Sequence, residues 1–415
     1  MEILKQNRRK FHASEAGIVL LLFSRQIANV ARFAIMRDIP WITEILFLLS
    51  FALMFDWRQI RSLRFEGWNL TFSLYFLYVI YVGIIGTPNL FRFSGVSNYV
   101  YVLFILPIIF ALASNKKIDV AVFVRFGVYA ASFLSLALLV VITDGFTQLK
   151  NINTIYDGNG VAIADRATLS QIGTFGVALF LSFRPRTKAD VALLCVSVPA
   201  LAIDLVLLNR RSAFLVIAAY FLLLAVYEFK NIRFRLRYLW IGCGILAAVA
   251  VFVLCSDAFR ELLLHSIRTM FNAVMTFLGI DAGDKDPASL ERIMAQREAF
   301  AAIFSFDLKE VLFGIGIGSQ IDYPLLQSMR DGGIVGFALF CYFGVFLPIR
   351  YLGSHRERGS MRFFCFLLIM NFLSILYTGT PYNYIFHLPV ILASYVFEKQ
   401  RPLRLGLYYE KDPLY

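Results

Sequence analysis

The sequence predicts an all-α, polytopic membrane protein, and three of its properties carry that reading. Hydrophobic residues make up 59% of the 415 residues and charged residues 16%, against roughly 45–50% and about 25% in soluble globular domains. The mean hydropathy is +0.69. The apolar residues gather into repeated runs that approach the roughly 20 residues needed to cross a hydrocarbon core about 30 Å thick. A secreted disulfide scaffold, a disordered tail protein and an ordinary cytosolic enzyme are thereby excluded. The five cysteines (Cys195, Cys243, Cys255, Cys341 and Cys365) lie in or beside apolar runs without a C-x-x-C pair, so they are read as packing or lipid-facing residues.

Twelve spans are expected, near 16–36, 38–56, 68–86, 98–114, 118–143, 167–183, 190–208, 213–229, 238–255, 333–349, 361–378 and 383–397. They divide the chain into spans one to nine over 1–255, a long outer segment over 256–332, and three spans with a tail over 333–415. The first run holds Arg25 and Arg32 and lacks a small-residue cleavage site, so it reads as a span and not as a cleaved signal. With a cytoplasmic N-terminus, the inner segments carry 24 Lys and Arg and the outer ones 13, seven of these in 256–332 alone. Every inner segment is then basic, which places both termini in the cytoplasm. The net charge of +12 follows as positive-inside bias, with no nucleic-acid partner implied.

Two outer segments, 144–166 and 256–332, are longer than connectors need to be, and function is sought there. Residues 256–280 open on Ser256-Asp257 and repeat apolar side chains at helical spacing, as an amphipathic helix on the outer leaflet would. The D-x-D at Asp284 and Asp286 is read as a solvated turn before Pro287, with no metal expected. Residues 288–305 form a second helical pattern. At about 100° per residue, Leu290, Ile293, Met294, Phe300, Ala301 and Phe304 share one face with Arg297 at its centre, and Arg292 lies away from it. An arginine inside an apolar stripe meets an anion, a carboxylate or lipid headgroups.

The next stretch alternates Gly314, Gly316 and Gly318, a pattern that lets backbone come close to a ligand or a helix but is not a nucleotide fingerprint. Asp322, Arg330 and Asp331 follow before the tenth span. Arg210 and Arg211 stand in a tight turn at the outer edge, where topology disfavours paired arginines; guanidinium forks there suit phosphate oxygens. Arg166, closing the segment 144–166, is a further substrate-binding cation.

Together these pieces resemble the O-antigen polymerase/ligase superfamily of Wzy-type polymerases and WaaL-type ligases. The resemblance rests on Arg211-Ser212-Ala213-Phe214-Leu215 at a span opening and on a long outer loop with an arginine-bearing helix. It rests also on Leu312-Phe313-Gly314-Ile315-Gly316-Ile317-Gly318, and on Leu326-Gln327 leading to Gly333-Ile334-Val335-Gly336. The motifs cover about 208–340, in the family's order and on its topological side. Two departures count. The ligase histidine falls on Asp322 and its following Asn on Tyr323, with the family acid on Asp331; the tryptophan of the arginine helix is missing. Loss of the histidine favours a polymerase over a ligase.

The resemblance implies a GT-C-like architecture in a bacterial inner membrane and a donor glycan linked through diphosphate to undecaprenol. It also implies a chain-length regulator and a flippase as partners of the same pathway. No cofactor or metal is implied. In this reading Arg211 and Arg297 stabilise the leaving diphosphate, and Asp322 orients and deprotonates the acceptor hydroxyl. Arg210, Arg292, Arg166, Tyr323 and Gly314, Gly316 and Gly318 line the substrate. The rival class, a transporter or flippase, would use the charges inside spans: Arg25, Arg32, Glu44, Arg125 and Asp204.

Overall fold

The computed structural model describes residues 13–39, 41–55, 68–86, 106–114, 118–145, 155–156, 162–164, 166–208, 211–228, seven positions between 260 and 275, 287–316, 321, 323–354, 362–377, 381 and 384–399. Helices overlie the predicted segments: α1 (Ala13–Ile35), α2 (Ile42–Met54), α3 (Trp68–Gly86), α4 (106–114), α5 (Val120–Ile142), α6 (Arg166–Ser182), α7 (Lys188–Leu208) and α8 (Arg211–Glu228). Then come α9 (Pro287–Phe304), α10 (Leu308–Phe313) and α11 (Pro324–Cys341), which a π-helical turn (Tyr342–Phe346) joins to α12 (Leu347–Ser354). The last helices are α13 (Arg362–Tyr377) and α14 (Tyr384–Lys399). The span predicted at 238–255 lies outside the described residues. The described positions between 260 and 275 are helical, as the amphipathic pattern requires.

One short antiparallel ladder interrupts the all-helical reading: β1 (Ile155–Tyr156) pairs with β2 (Ala162–Ala164), Ile155 opposite Ala164 and Tyr156 opposite Ala162. The turn-forming run Asp157-Gly158-Asn159-Gly160 stands between them in the sequence, which is the composition of a hairpin loop. Among the described residues, four helices are by length and composition able to cross a membrane: Ala13–Ile35, Val120–Ile142, Lys188–Leu208 and Pro324–Leu352. Large apolar side chains such as Leu48, Leu74, Phe133 and Leu222 are exposed along the apolar helices, the surface of a membrane protein and not of a soluble one.

The chain forms two compact units. The first comprises 1–64, 110–204 and 359–363. Here α1 packs on α2 through Gly17, where an added Cβ would lie 2.7 Å from Met54 Cγ and 2.9 Å from the Ser50 carbonyl oxygen. Phe23 meets Phe175 edge-on at 5.8 Å between ring centroids, and Gly127 and Gly176 make room for Leu179 and Leu201. Small residues at contacts are the expected currency of packing where lipid is as apolar as leucine. Asp119 caps α5, accepting from the Ala121 and Val122 amides at 2.9 and 3.2 Å, and its own amide donates to Glu15 Oε1 at 2.8 Å.

Three charges of the transporter reading, Arg32, Arg125 and Asp204, have described partners within this unit. Arg32 pairs with Asp38 at 2.9 Å. Arg125 pairs at 2.9 Å with Asp190, whose carboxylate also accepts from Tyr129 Oη and from the Arg186 and Thr187 amides. Asp204 is fully buried and accepts from Ser135 Oγ at 2.5 Å, and its second oxygen has no hydrogen-bond partner.

The second unit comprises 65–109, 205–358 and 364–415. Phe72 stacks on Phe343 at 4.6 Å, and Tyr220 meets Phe366 at 5.0 Å. His387 Nε2 and Tyr75 Oη both point at the Pro381 carbonyl, at 2.6 and 3.2 Å.

The α1–α2 contact gives a direct test. Gly17→Ala sets its methyl group against Ser50 backbone, which cannot yield, so it should cost about 1–3 kcal/mol. Gly176→Ala meets only the flexible end of Leu201 and should cost less. Thermal unfolding of both variants in detergent checks the ordering.

Candidate functional site

In the second unit the glycine-rich stretch and the arginine-bearing helix both pack on α11, which is broken at Gly333. This helix starts at Pro324, nine residues before the expected span, and is interrupted at Gly333, whose φ of 60° and ψ of −161° are not helical. A helical hydrogen bond from residue i+4 to the carbonyl of i requires helical dihedrals at the three residues between. Gly333 therefore removes the rungs that would have used the carbonyls of Arg330, Asp331 and Gly332.

Each of these carbonyls finds another donor. The Ile315 amide donates to the Arg330 carbonyl at 3.1 Å and the Gly316 amide to the Asp331 carbonyl at 3.0 Å. Tyr78 Oη donates to the Gly332 carbonyl. The glycine-rich stretch is thus a strap laid across the break. It leaves α10, itself started by an Asp307–Glu310 capping box, through Gly314, whose amide donates to the Glu310 carbonyl at 2.7 Å. Gly314 and Gly316 have φ of 74° and 81°, the left-handed region that favours glycine. A Cβ on Gly314 would run into the Asp331 carbonyl, and one on Gly333 would lie 2.5 Å from the Leu312 carbonyl oxygen.

Beneath the strap lies a buried polar cluster. Asp331 is 0% exposed; its Oδ1 accepts from Arg330 Nε at 2.6 Å and its Oδ2 from Gln327 Nε2 at 3.2 Å. Gln327 Oε1 in turn receives the Ile321 amide in a long contact of 3.5 Å. A buried carboxylate held by an adjacent guanidinium is an orienting element, and removing one partner would strand the other charge. The chain from Ile321 through Gln327 to Asp331 ties the segment flanking position 322 to the break.

The arginine helix packs beside this segment. Ala299 of α9 forms a cluster with Ile321 and Leu326, with Ala295, Ile303 and Tyr323 against it. The small face of α9 is therefore the packed one. The expected apolar stripe points the other way: Met294, Phe300 and Phe304 are exposed, Phe304 by 83%, and Arg297 is exposed among them. Alanines permit close helix approach, and the bulky apolar groups are left for an apolar surrounding. Arg297 stands on this outward face with no ion pair among the described residues.

Of the other sequence candidates, Arg211 opens α8 and Arg292 lies in α9, and their side chains are outside the description. Tyr323 is the residue preceding Pro324 and is half-buried against the Ala299 cluster. Arg210, Gly318, Asp322, Asp284 and Asp286 lie outside the described residues. Arg166 starts α6 in the first unit, half-buried, whereas the other candidates belong to the second. Sequence reasoning missed Tyr78, Gln327 and the Arg330–Asp331 pair as organisers. The signal available was the spacing of Gly332, Gly333 and Gly336, which marks one helix face for close approach.

No protein-family model matches this chain, and no curated protein matches it.

Gly314→Ala combines left-handed strain with a clash against Asp331 backbone and should weaken the strap by about 2–4 kcal/mol. Limited proteolysis between α10 and α11 measures it: cleavage should accelerate in this variant while the α1–α2 region stays protected.

Proposed function

We propose that the protein polymerises undecaprenyl-diphosphate-linked oligosaccharide units into O-antigen or a related surface polysaccharide, on the outer side of a bacterial inner membrane. Its layout would be GT-C-like with about twelve spans and both termini in the cytoplasm. One observation carries the reading: the glycine strap and the arginine-bearing helix both pack on α11, the helix that itself holds Gln327 and Asp331. Three family-like motifs sharing a single fold element are best explained by a common task.

The chemistry follows from charge. Cleavage of the sugar–diphosphate bond develops negative charge on the departing phosphate, and fixed cations in a water-poor setting stabilise it most. Arg211 and Arg297 supply those cations, Arg297 from an apolar exposed face suited to a polyprenyl tail and its headgroup together. The bond to the anomeric carbon breaks with its electron pair passing to the diphosphate, and the acceptor oxygen forms the new glycosidic bond. Asp322 accepts the acceptor's proton. Asp331, buried and ion-paired, orients the segment and does not serve as the base. Ligation to a lipid A-core acceptor is the nearer alternative, and transport the farther one. Among the transporter charges, Arg32 and Arg125 are already engaged in ion pairs.

Purified protein with undecaprenyl-diphosphate-linked oligosaccharide and EDTA should yield ladders without ATP, nucleotide-sugar or added metal. A requirement for Mg²⁺ would move the chemistry to Asp284 and Asp286, and a change of leaflet without lengthening would make the protein a transporter.

Arg211→Ala and Arg297→Ala should each abolish elongation with insertion intact, and Arg→Lys should rescue only in part, because a point charge cannot grip two phosphate oxygens. Asp322→Asn should slow elongation by roughly 10²–10⁴-fold with near-normal donor binding. Gel chain lengths and donor-binding curves separate the two classes.

A further inference from the structure

We infer that Tyr78 of α3 is a positioning residue, its hydroxyl standing in for the helical rung that Gly333 removes between Gly332 and Gly336. The kinetic part of this inference rests on the polymerase reading; the structural part does not. Tyr78 Oη donates to the Gly332 carbonyl, and a Cβ on Gly336 would lie 2.8 Å from the same oxygen. One side-chain atom thus takes up one end of a rung that helical geometry can no longer close and stands beside the residue at its other end. A side chain inserted into the i→i−4 ladder is a recognised cause of a helix break.

Two glycines admit the wedge. A Cβ on Gly332 or on Gly336 would lie 2.8 Å from the Tyr78 oxygen. Neither contact is needed to hold α3 itself, because one turn earlier Tyr75 is fixed to the Pro381 carbonyl and packed on Phe343 and His387. The hydroxyl of Tyr78 therefore does local work.

Its removal has a defined consequence. The Gly332 carbonyl sits on a buried residue and would lose its partner, at the full cost of an unsatisfied buried group. The chain can repair this only by returning Gly333 to helical dihedrals and closing the rung directly. That same change draws the Arg330 and Asp331 carbonyls back into the helix and releases the Ile315 and Gly316 amides. Strap and wedge are consequently coupled: Tyr78 acts on the site through the break, touching no substrate. Because the segment flanking Asp322 hangs from the strap on one side and from Gln327 on the other, turnover is the quantity the coupling controls.

Full-length protein in nanodiscs tests this by hydrogen exchange of peptides covering 312–316 and 334–336, alongside elongation of undecaprenyl-diphosphate-linked oligosaccharide. In Tyr78→Phe, the 312–316 peptide should exchange about tenfold faster, the size of one lost hydrogen bond, and the 334–336 peptide, whose amides then close helical rungs, no faster than in the wild type, while peptides of the first unit keep wild-type rates. Turnover should fall about tenfold with the donor KM unchanged. Gly336→Ala, which expels the hydroxyl from the opposite side, should reproduce the pattern, and Tyr75→Phe should not. Wild-type exchange over 312–316 in Tyr78→Phe would overturn the wedge whatever the kinetics. Faster exchange with unchanged turnover would overturn the positioning role. Faster exchange in a protein whose wild type fails to elongate would uphold the wedge and refute the polymerase reading alone.

Discussion

A single glycine with non-helical dihedrals governs the second unit. Gly333 strips three successive carbonyls of their helical partners, and buried carbonyls must be satisfied. Two of the three are met by the strap and one by α3, so the break recruits two distant segments to itself. The polar cluster of Gln327, Arg330 and Asp331 fits beneath because the strap covers it. Without the break, neither the strap nor the wedge would have anything to bind.

Among the described residues, the positions of the apolar helices were legible because hydropathy is a property of composition and survives ignorance of packing. The helix expected near 333–349 is the instructive exception. It begins at Pro324, not near 333, since Gln327, Arg330 and Asp331 lower the local hydropathy while satisfying one another inside the fold. The ladder at 155–164 escaped because two- and three-residue strands leave no period to read. Among the described residues, four helices meet the length and composition of a span, and the other apolar helices are shorter, as the 13-residue α2 illustrates.

Periodicity found the stripe of Met294, Phe300 and Phe304 with Arg297 at its centre, but it cannot say whether a stripe faces protein or lipid. In a soluble protein the bulky face would be the packed one; here the alanine face is. Tyr78 was beyond sequence reasoning for a different reason. Within the run from Phe72 to Tyr81 nothing distinguishes it from Tyr75 or Tyr81, and its partner stands 254 residues away. Only the glycine spacing at 332, 333 and 336 hinted that a large side chain was to be received. Residue type alone could not tell that Asp331 is buried and paired with Arg330 and Gln327.

The alanine-packed face of α9 has a bearing on how such a chain changes over time. Its outward side chains need only be apolar, so leucine, methionine or phenylalanine serve interchangeably there, and the same freedom extends to Leu48, Phe133 and Leu222. Growth of a side chain is opposed where segments touch, as at Gly17, Gly314, Gly332, Gly333 and Gly336. Selection therefore acts on a sparse set of small residues, and drift is nearly free across the rest. Two descendants of one ancestor, each keeping that sparse set, would share a fold while their alignments dissolved into uninformative hydrophobic noise.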